Sequence, residues 1–183
     1  MIKYLWGIRA LFFSLFWGSF KTPSYIGKPI FIKGSKNIFV GKRVRIYPHA
    51  RIEVVNKNGL IQIEDNVSIG QNLHLTAGLK IKICKNTTIS SNVLITDLSH
   101  SYEKIGVHIM EQKTILKETI VGANCFIGTG VIIDCGTILG ENCIVGSNSV
   151  LKGVYPKNSV IVGVPGRIVK RYNDKTHKWE KTN

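Results

Sequence analysis

The chain has 183 residues, enough for one domain with a sizeable core and too few for two ordinary domains. Its hydrophobic content of 44% excludes a disordered chain, and 5 Pro with 18 Gly exclude a collagen-like protein. The 25 basic residues against 11 acidic ones give a formal net charge of +14, which favours an anionic partner.

The N-terminal segment, residues 1–22, is rich in large apolar residues and predicts an amphipathic helix that lies on a membrane surface. Its apolar stretch is shorter than the roughly 20 residues that a spanning helix needs, and Arg9 interrupts it. No small-x-small site follows, which disfavours a cleaved signal peptide. Ten basic residues and no acid precede Glu53, so the helix and the basic stretch together form a two-signal anchor for an anionic leaflet.

One arc of this helix carries small and cationic residues, from Lys3 through Ala10 to Lys21. Small residues allow a helix to approach another element closely. A helix that packs against the rest of the chain, or against a second copy, therefore stays open as the alternative to membrane binding.

A six-residue repeat dominates the chain from Val40 to Gly163. Each unit opens with an aliphatic residue, often followed by Gly, as in Val121-Gly-Ala-Asn-Cys-Phe and the units after it. The first and fifth positions can point inward, and Gly or Asn between them permits a turn at positive φ. Three units close one triangular coil, and coils stack as parallel strands about 4.8 Å apart. The repeat predicts an all-β parallel β-helix of about six coils, because a β-sandwich would alternate with period two.

The four cysteines form no CxxC pair and have no His at zinc-ligand spacing, so neither a metal site nor a disulfide framework is indicated. They are predicted to be reduced core thiols. Cys125 and Cys143 are 18 residues apart at the same phase of the repeat, which predicts that they stack one above the other.

Two further segments depart from the repeat. Residues 101–118 contain no hexad and predict a loop extruded from one corner; long loops on rigid scaffolds are usually functional. Residues 172–183 form a polar C-terminal tail with some helical character.

These features resemble a known family. The hexads, the corner loop after Ser99-His100 and the closing Val164-Pro-Gly-Arg resemble the left-handed β-helix, or hexapeptide-repeat, acyltransferases. The similarity is greatest to the O-acetyltransferases of bacterial polysaccharide synthesis and to the galactoside and maltose acetyltransferases, and it covers about residues 40–171. It implies a left-handed β-helix domain over residues 23–171, acetyl-CoA as co-substrate, no metal, and a homotrimer with active sites between neighbouring subunits.

The resemblance assigns the catalytic histidine to His100, two hexads after the unit that begins at Ile89. Polysaccharide-modifying members often have two His flanking one residue here, but the first position is Leu98, which leaves His100 as the candidate. A neutral imidazole can take the proton of an attacking hydroxyl and return it to the departing thiolate near neutral pH. Asp97 either orients the ring or is a solvated corner residue.

The resemblance also implies binding residues. Hydroxyls line the pantetheine arm of acetyl-CoA and cations surround its phosphates; the residues at those positions are Thr129, Ser147, Lys152, Arg167 and Lys170. Three residues are candidates for the acceptor, although a plain turn Asn of the hexad is the favoured interpretation of the first: Asn72, Tyr102 and His108.

The expected function is acetyl transfer to a sugar hydroxyl in polysaccharide biosynthesis, at the cytoplasmic face of the membrane. N-acetyl transfer to an amino sugar on a nucleotide or lipid carrier is the alternative within the fold. A γ-class carbonic anhydrase needs three zinc-binding His, and His49, His74 and His100 lack ligand spacing. A purely structural β-helix would not have the corner loop. Nucleic-acid binding is disfavoured because no aromatic residues are interleaved with the basic stretch as a stacking platform requires.

Overall fold

Inward-pointing aliphatic side chains at every sixth position wind the chain into a parallel β-helix. The computed structural model describes residues 2–182. An N-terminal α-helix, Ile2–Phe13, is followed by about seven turns of short strands that form three flat faces, here called A, B and C. The arrangement is that of a left-handed parallel β-helix, as predicted.

Each face is a ladder of parallel strands, one from each turn. Face A contains Ser19–Phe20, Ile38–Val40, Leu60–Ile63, Lys80–Ile83, Thr119–Val121, Ile138–Leu139 and Val154–Tyr155. Face B contains Tyr25–Ile26, Arg45–Ile46, Ser68–Ile69, Thr88–Ile89, Phe126–Ile127, Ile144–Val145 and Ser159–Val162. Face C contains Phe31–Lys33, Arg51–Val54, His74–Ala77, Leu94–Thr96, Ile132–Ile133 and Val150–Leu151. The corners between them are named AB, BC and CA.

Stacked side chains and tight corners hold the turns together. Cys125 and Cys143 are both buried and precede strands that pair in register, so the predicted ladder is confirmed. At the AB corner, the Asn86 side chain accepts a hydrogen bond from Asn66 (3.0 Å) and has positive φ (61°), as the turn requires. A Cβ on Gly122 would lie 2.5 Å from the carbonyl of Gly140, so only glycine fits between these two coils.

The first turn lies N-terminal to the repeat seen in the sequence. It begins at Ser19, whereas the sequence predicted coils from Val40 and a domain boundary at residue 23. The signal is present but weak: Phe20, Ile26 and Ile32 are six residues apart, but only Ile26 is followed by Gly and no Asn lies between them.

The N-terminal helix is shorter than predicted and covers the open edge of this first turn. It ends at Phe13 rather than near residue 22. Ala10 is buried, Trp6 packs against Tyr25, and Arg9 Nη1 donates a 3.0 Å hydrogen bond to the carbonyl of Ile26, which no preceding strand can use. The cover prevents exposure of an unpaired strand edge. Within residues 2–182, no helix has the length and apolarity to cross a membrane.

The chain closes in a β-hairpin, which corrects the expected tail or helix. Strands Arg167–Asn173 and Lys178–Lys181 are antiparallel, and the first of them pairs with Ser159–Val162 at the end of face B. The hairpin covers the C-terminal edge of that face as the helix covers the N-terminal one.

Candidate active site

The predicted corner loop is a two-stranded arm at the CA corner, residues 98–116. Its strands, Leu98–His100 and Thr114–Leu116, pair antiparallel, with His100 opposite Thr114. The tip includes a short 3-10 helix, Ile109–Glu111. His100 is half-buried, and its Nδ1 atom is buried without a hydrogen-bond partner among the described residues. The imidazole therefore lies at the root of the arm, with one ring nitrogen shielded from solvent.

Asp97 anchors the arm, which corrects both interpretations offered by the sequence, because its carboxylate bonds to the backbone and not to the imidazole and is buried rather than solvated. Its fully buried carboxylate accepts hydrogen bonds from the backbone N–H groups of Gly78 (2.6 Å) and Leu79 (2.9 Å). Its carbonyl accepts from the Lys117 N–H (3.0 Å) and from Cys135 Sγ (3.0 Å). The residue thereby joins the arm to the coil before it and the coil after it.

Two threonines complete the root of the arm and were not identified from the sequence. Thr96 Oγ1 accepts from the N–H of Leu98 at 3.2 Å, and Thr119 Oγ1 donates to the carbonyl of Thr96 at 2.9 Å. Both side chains stand where the hexad repeat stops and resumes, and that break is the signal that marks them. His100 is thus attached to a fixed base.

Three of the predicted acetyl-CoA residues lie at or next to the BC corner. Thr129 and Ser147 are exposed there in successive coils. Arg167 follows in the C-terminal hairpin, opposite Val162, and among the described residues its side chain hydrogen-bonds only to the carbonyl of Gly166. Hydroxyls and an available guanidinium along one corner suit a ligand with amide and phosphate groups.

The other two predicted acetyl-CoA residues are separate from this group. Lys170 is exposed further along the hairpin, opposite Val160 on face B. Lys152 is at the CA corner, where its Nζ lies 3.2 Å from Asp134 Oδ2. The hydrogen bond from the lysine to Asp134 and the charge of that carboxylate raise the pKa of Lys152.

One chain does not bring His100 together with Thr129 and Ser147. The BC and CA corners are at opposite ends of face C, and five residues separate Thr129 from Asp134 on the same coil. An extended chain of that length spans roughly 15 Å. Within one chain, His100 and the Thr129–Ser147 pair therefore lie at different corners of the coil.

The predicted acceptor residues are also distributed over two corners. Tyr102 is 80% exposed on the arm. His108, also on the arm, uses its Nδ1 to accept a 3.3 Å hydrogen bond from the N–H of Met110. Asn72 is a turn residue at the BC corner with φ 59°, and its side chain donates to Asn92 Oδ1 at 2.9 Å.

Two other histidines lie on neighbouring coils, one at a corner and one on a strand. His49 is a turn residue with φ 67° at the BC corner, and His74 is on face C. Within residues 2–182, no three His, Cys, Asp or Glu side chains converge as a metal site would require.

The fold and the histidine-bearing arm define a β-helix transferase of the hexapeptide-repeat class. Residues 118–153 match the family model for the bacterial transferase hexapeptide (six repeats). WbbJ of Escherichia coli K12, named for O-acetyl transfer in lipopolysaccharide biosynthesis, is 32% identical over 160 residues, which cover 84% of this chain and 81% of WbbJ. The chain therefore belongs to the hexapeptide-repeat acetyltransferases and is an acyltransferase.

Solved structures share the fold at low sequence identity. AntD, an N-acyltransferase from Bacillus cereus in complex with dTDP and 3-hydroxybutyryl-CoA, superposes with a TM-score of 0.78 at 19% identity, covering 92% of this chain and 90% of AntD. A galactoside acetyltransferase in complex with coenzyme A superposes with a TM-score of 0.54 at 18% identity, covering 94% and 83%.

Proposed function

We propose that this chain transfers the acetyl group of acetyl-CoA to a sugar hydroxyl, with His100 as the general base. The observation that carries the proposal is the position of the imidazole at the fixed root of the arm, with Nδ1 unpartnered within the described chain. The similarity to WbbJ supports a saccharide acceptor in the synthesis of a surface polysaccharide.

The chemistry requires one proton carrier. As the sugar oxygen attacks the thioester carbonyl, the imidazole takes the hydroxyl proton. When the C–S bond breaks, the same proton passes to the leaving sulfur, so the histidine returns to its neutral form. General-base help of this kind contributes about 10²–10⁴-fold to the rate.

The residues of the BC corner fit the donor. We assign Thr129 and Ser147 to the pantetheine arm and Arg167 and Lys170 to the phosphates, because exposed cations without strong internal partners are available to an anion. Lys152 already pairs with Asp134, so its contribution to donor binding is the smallest of the five.

We assign binding of the acceptor sugar to Tyr102 and His108 on the arm and to Asn72 at a BC corner. Incubation with acetyl-CoA and a panel of sugars, followed by measurement of free thiol, tests the reaction. Thiol release that depends on a neutral sugar supports the proposal, and the absence of transfer to every sugar would contradict it.

N-acyl transfer to an amino sugar on a nucleotide is the second candidate, because AntD shares the fold over most of this chain. A dTDP-linked 4-amino sugar and its 4-hydroxy counterpart form a matched pair of acceptors. Transfer only to the amine would replace O-acetyl transfer as the function.

We further propose a homotrimer in which the BC corner of one subunit faces the CA corner of the next. The proposal rests on the separation of His100 from Thr129 and Ser147 within one chain. Light scattering should give about 61 kDa, three times the 20.4 kDa of the chain. An active species of the monomer's mass would exclude it.

Mixed trimers give a sharper test. The variant His100→Ala lacks the base and Ser147→Trp blocks the donor corner, so each alone should be inactive. If the two residues of a cleft come from different chains, the two variants refolded together in equal amounts should give active clefts. Because the chains mix at random, about a quarter of the clefts should then contain both intact residues. If both residues act within one chain, the mixture stays as inactive as its components.

We propose that the outer side of the N-terminal helix binds the cytoplasmic face of an anionic membrane. Seven large side chains of this segment are more than half exposed: Tyr4, Leu5, Ile8, Leu11, Phe12, Leu15 and Phe16. Cations flank the adjoining groove, including Lys3, Arg43 and Arg45. An apolar strip beside cations is the combination that anionic lipids attract.

Deleting the helix would expose the edge of the first turn. Surface substitutions therefore test membrane binding better, because they leave that turn covered. Leu15 and Val154 are 74% and 75% exposed, on opposite ends of the β-helix. We expect Leu15→Asp to lower recovery with phosphatidylglycerol vesicles about tenfold, and Val154→Asp to leave it unchanged. Equal recovery of both variants would contradict the proposal.

A further inference from the structure

A buried carboxylate on the outer surface of face C is not explained by the core or by the transfer chemistry. Glu53 alternates with the core residues Ile52 and Val54 and therefore points outward, yet it is only 8% exposed. Its Oε1 atom accepts from Arg51 Nε at 2.8 Å and from Thr76 Oγ1 at 3.1 Å. His74 Nε2 lies 3.8 Å from the same oxygen. We call Arg51, Glu53, His74 and Thr76 the polar strip.

The polar strip keeps unused hydrogen-bonding capacity. Among the described residues, Glu53 Oε2 and the two terminal nitrogens of Arg51 make no hydrogen bond, and neither Glu53 Oε2 nor the Arg51 nitrogens are sealed from solvent. The Arg51 guanidinium lies 4.8 Å from the ring centre of Phe31, which is 41% exposed. Paired donors and acceptors beside an exposed aromatic ring form a recognition surface.

The charges of the polar strip select against ions. Burial raises the pKa of Glu53, but the hydrogen bonds from Arg51 and Thr76 outweigh it and the net pKa is lowered, so the carboxylate is ionised at neutral pH. The Arg51 guanidinium, 2.8 Å from Oε1, balances this charge, so the Arg51–Glu53 pair presents no net charge to a phosphate or a cation. A neutral polyol both donates to the carboxylate and accepts from the guanidinium, and its C–H face packs on an aromatic ring.

The polar strip leads to the arm that carries His100. Glu53, Thr76 and Thr96 stand in register on three adjacent strands of face C. Thr96 Oγ1 accepts from Leu98 N at the start of the arm. Glu53 and Thr96 are two strand spacings apart, about 10 Å, which leaves room for a second sugar between the strip and the arm.

We propose that the polar strip and Phe31 bind a neutral hexose of the acceptor, next to the sugar that receives the acetyl group. The inference rests on the proposed function and specifies its substrate as a glycan of at least two sugars. Phosphate-bearing acceptors gain nothing from this strip.

A matched pair of variants tests the polar strip. Glu53→Gln removes its charge, whereas Glu64→Gln changes a comparable ion pair at the AB corner, where Glu64 Oε1 lies 2.8 Å from Lys82 Nζ. Saturation-transfer NMR with lactose, maltose and cellobiose measures binding directly. The wild-type protein should bind at least one of them, Glu53→Gln about tenfold more weakly, and Glu64→Gln equally well. Inorganic phosphate should not compete.

Binding and transfer separate the two proposals. His100→Ala should bind the disaccharide normally while losing transfer. If the protein binds a disaccharide and Glu53→Gln weakens that binding, but the protein acetylates no sugar, the polar-strip proposal stands and the proposed function is overturned. The polar-strip proposal is overturned if the wild-type protein binds no disaccharide. It is also overturned if the protein acetylates a disaccharide and Glu53→Gln leaves the KM for that disaccharide unchanged.

Discussion

The Asp97 carboxylate accepts a 2.6 Å hydrogen bond from the backbone N–H of Gly78, which lies on the preceding coil. The two residues connect the root of the arm that carries His100 to a turn that the hexad pattern places in an ordinary corner. A Cβ on Gly78 would lie 2.6 Å from Leu116 Cδ2, so the second strand of the arm also packs on this glycine. The position of His100 therefore depends on a contact between two residues that are 19 positions apart in the chain.

Asp97→Asn should destabilise the fold and slow catalysis. An amide accepts through one oxygen only, so either Gly78 or Leu79 would face an N–H₂ group and a buried donor would lose its partner, at a cost of about 1–3 kcal/mol. Urea unfolding measures the change. Asp65→Asn is the control, since Asp65 is a surface acceptor for the Lys42 N–H and should cost less than about 0.5 kcal/mol. Equal effects would contradict the anchoring role.

His100→Ala should lower kcat by about 10²–10⁴-fold while leaving the unfolding transition nearly unchanged. The ring packs at the surface of the arm root and its Nδ1 bonds to no described residue, so little structure depends on it. His108→Ala is the matched control and should reduce kcat much less, because His108 caps the short helix of the arm tip. Turnover near the wild-type rate in His100→Ala would remove His100 as the base.

Arg167→Ala and Lys170→Ala should raise the KM for acetyl-CoA and leave kcat nearly unchanged. This result is expected when a lost contact stabilises the bound substrate and the transition state equally. Lys178→Ala removes an exposed cation from the other strand of the same hairpin and serves as the control. Calorimetry with coenzyme A reports the affinity directly. Unaltered affinity in both test variants would place the phosphate site elsewhere.

The native thiols should react slowly with a disulfide reagent near neutral pH. Cys125, Cys135 and Cys143 are buried, and the hydrogen bond to Cys143 together with burial raises the pKa of Cys125. Burial also raises the pKa of Cys84, which is half-buried and should be the first to react. Because thiolates are the reactive species, the protein adds little background to an assay of free coenzyme A. Rapid labelling of all four in the folded protein would contradict their burial.

Glu53 should make stability depend on pH in acid. Its pKa is lowered in the folded protein, so its contribution is present above its unfolded pKa, near 4.5, and is lost as the pH falls through the lower folded value. The difference in unfolding free energy between the wild-type protein and Glu53→Gln should be full at about pH 7 and should shrink as the pH falls below the unfolded pKa. A difference that does not vary with pH would show that the carboxylate is not stabilised by Arg51 and Thr76.

The repeated part of the fold follows from the sequence because its interactions are local. Each hexad specifies its own turn, and units 18 residues apart stack on each other, so Cys125 could be placed above Cys143 before any coordinates were known. The first turn was missed because its units lack the Asn that marks later corners, and only Ile26 is followed by Gly. The C-terminal hairpin was missed because strand 167–173 takes its structure from pairing with face B and not from its own pattern.

The site depends on distances that no periodicity encodes. A histidine after the last hexad of a block is visible in the sequence, and the family resemblance names His100 as the candidate base, an assignment that stays a prediction. That Asp97 faces Gly78 and not the imidazole, and that Thr129 and His100 occupy different corners, are consequences of how the coils stack in three dimensions. Sequence determined the coil because backbone turns and inward aliphatic residues act over six positions. Only tertiary structure decided the site, because its hydrogen bonds join residues on different coils.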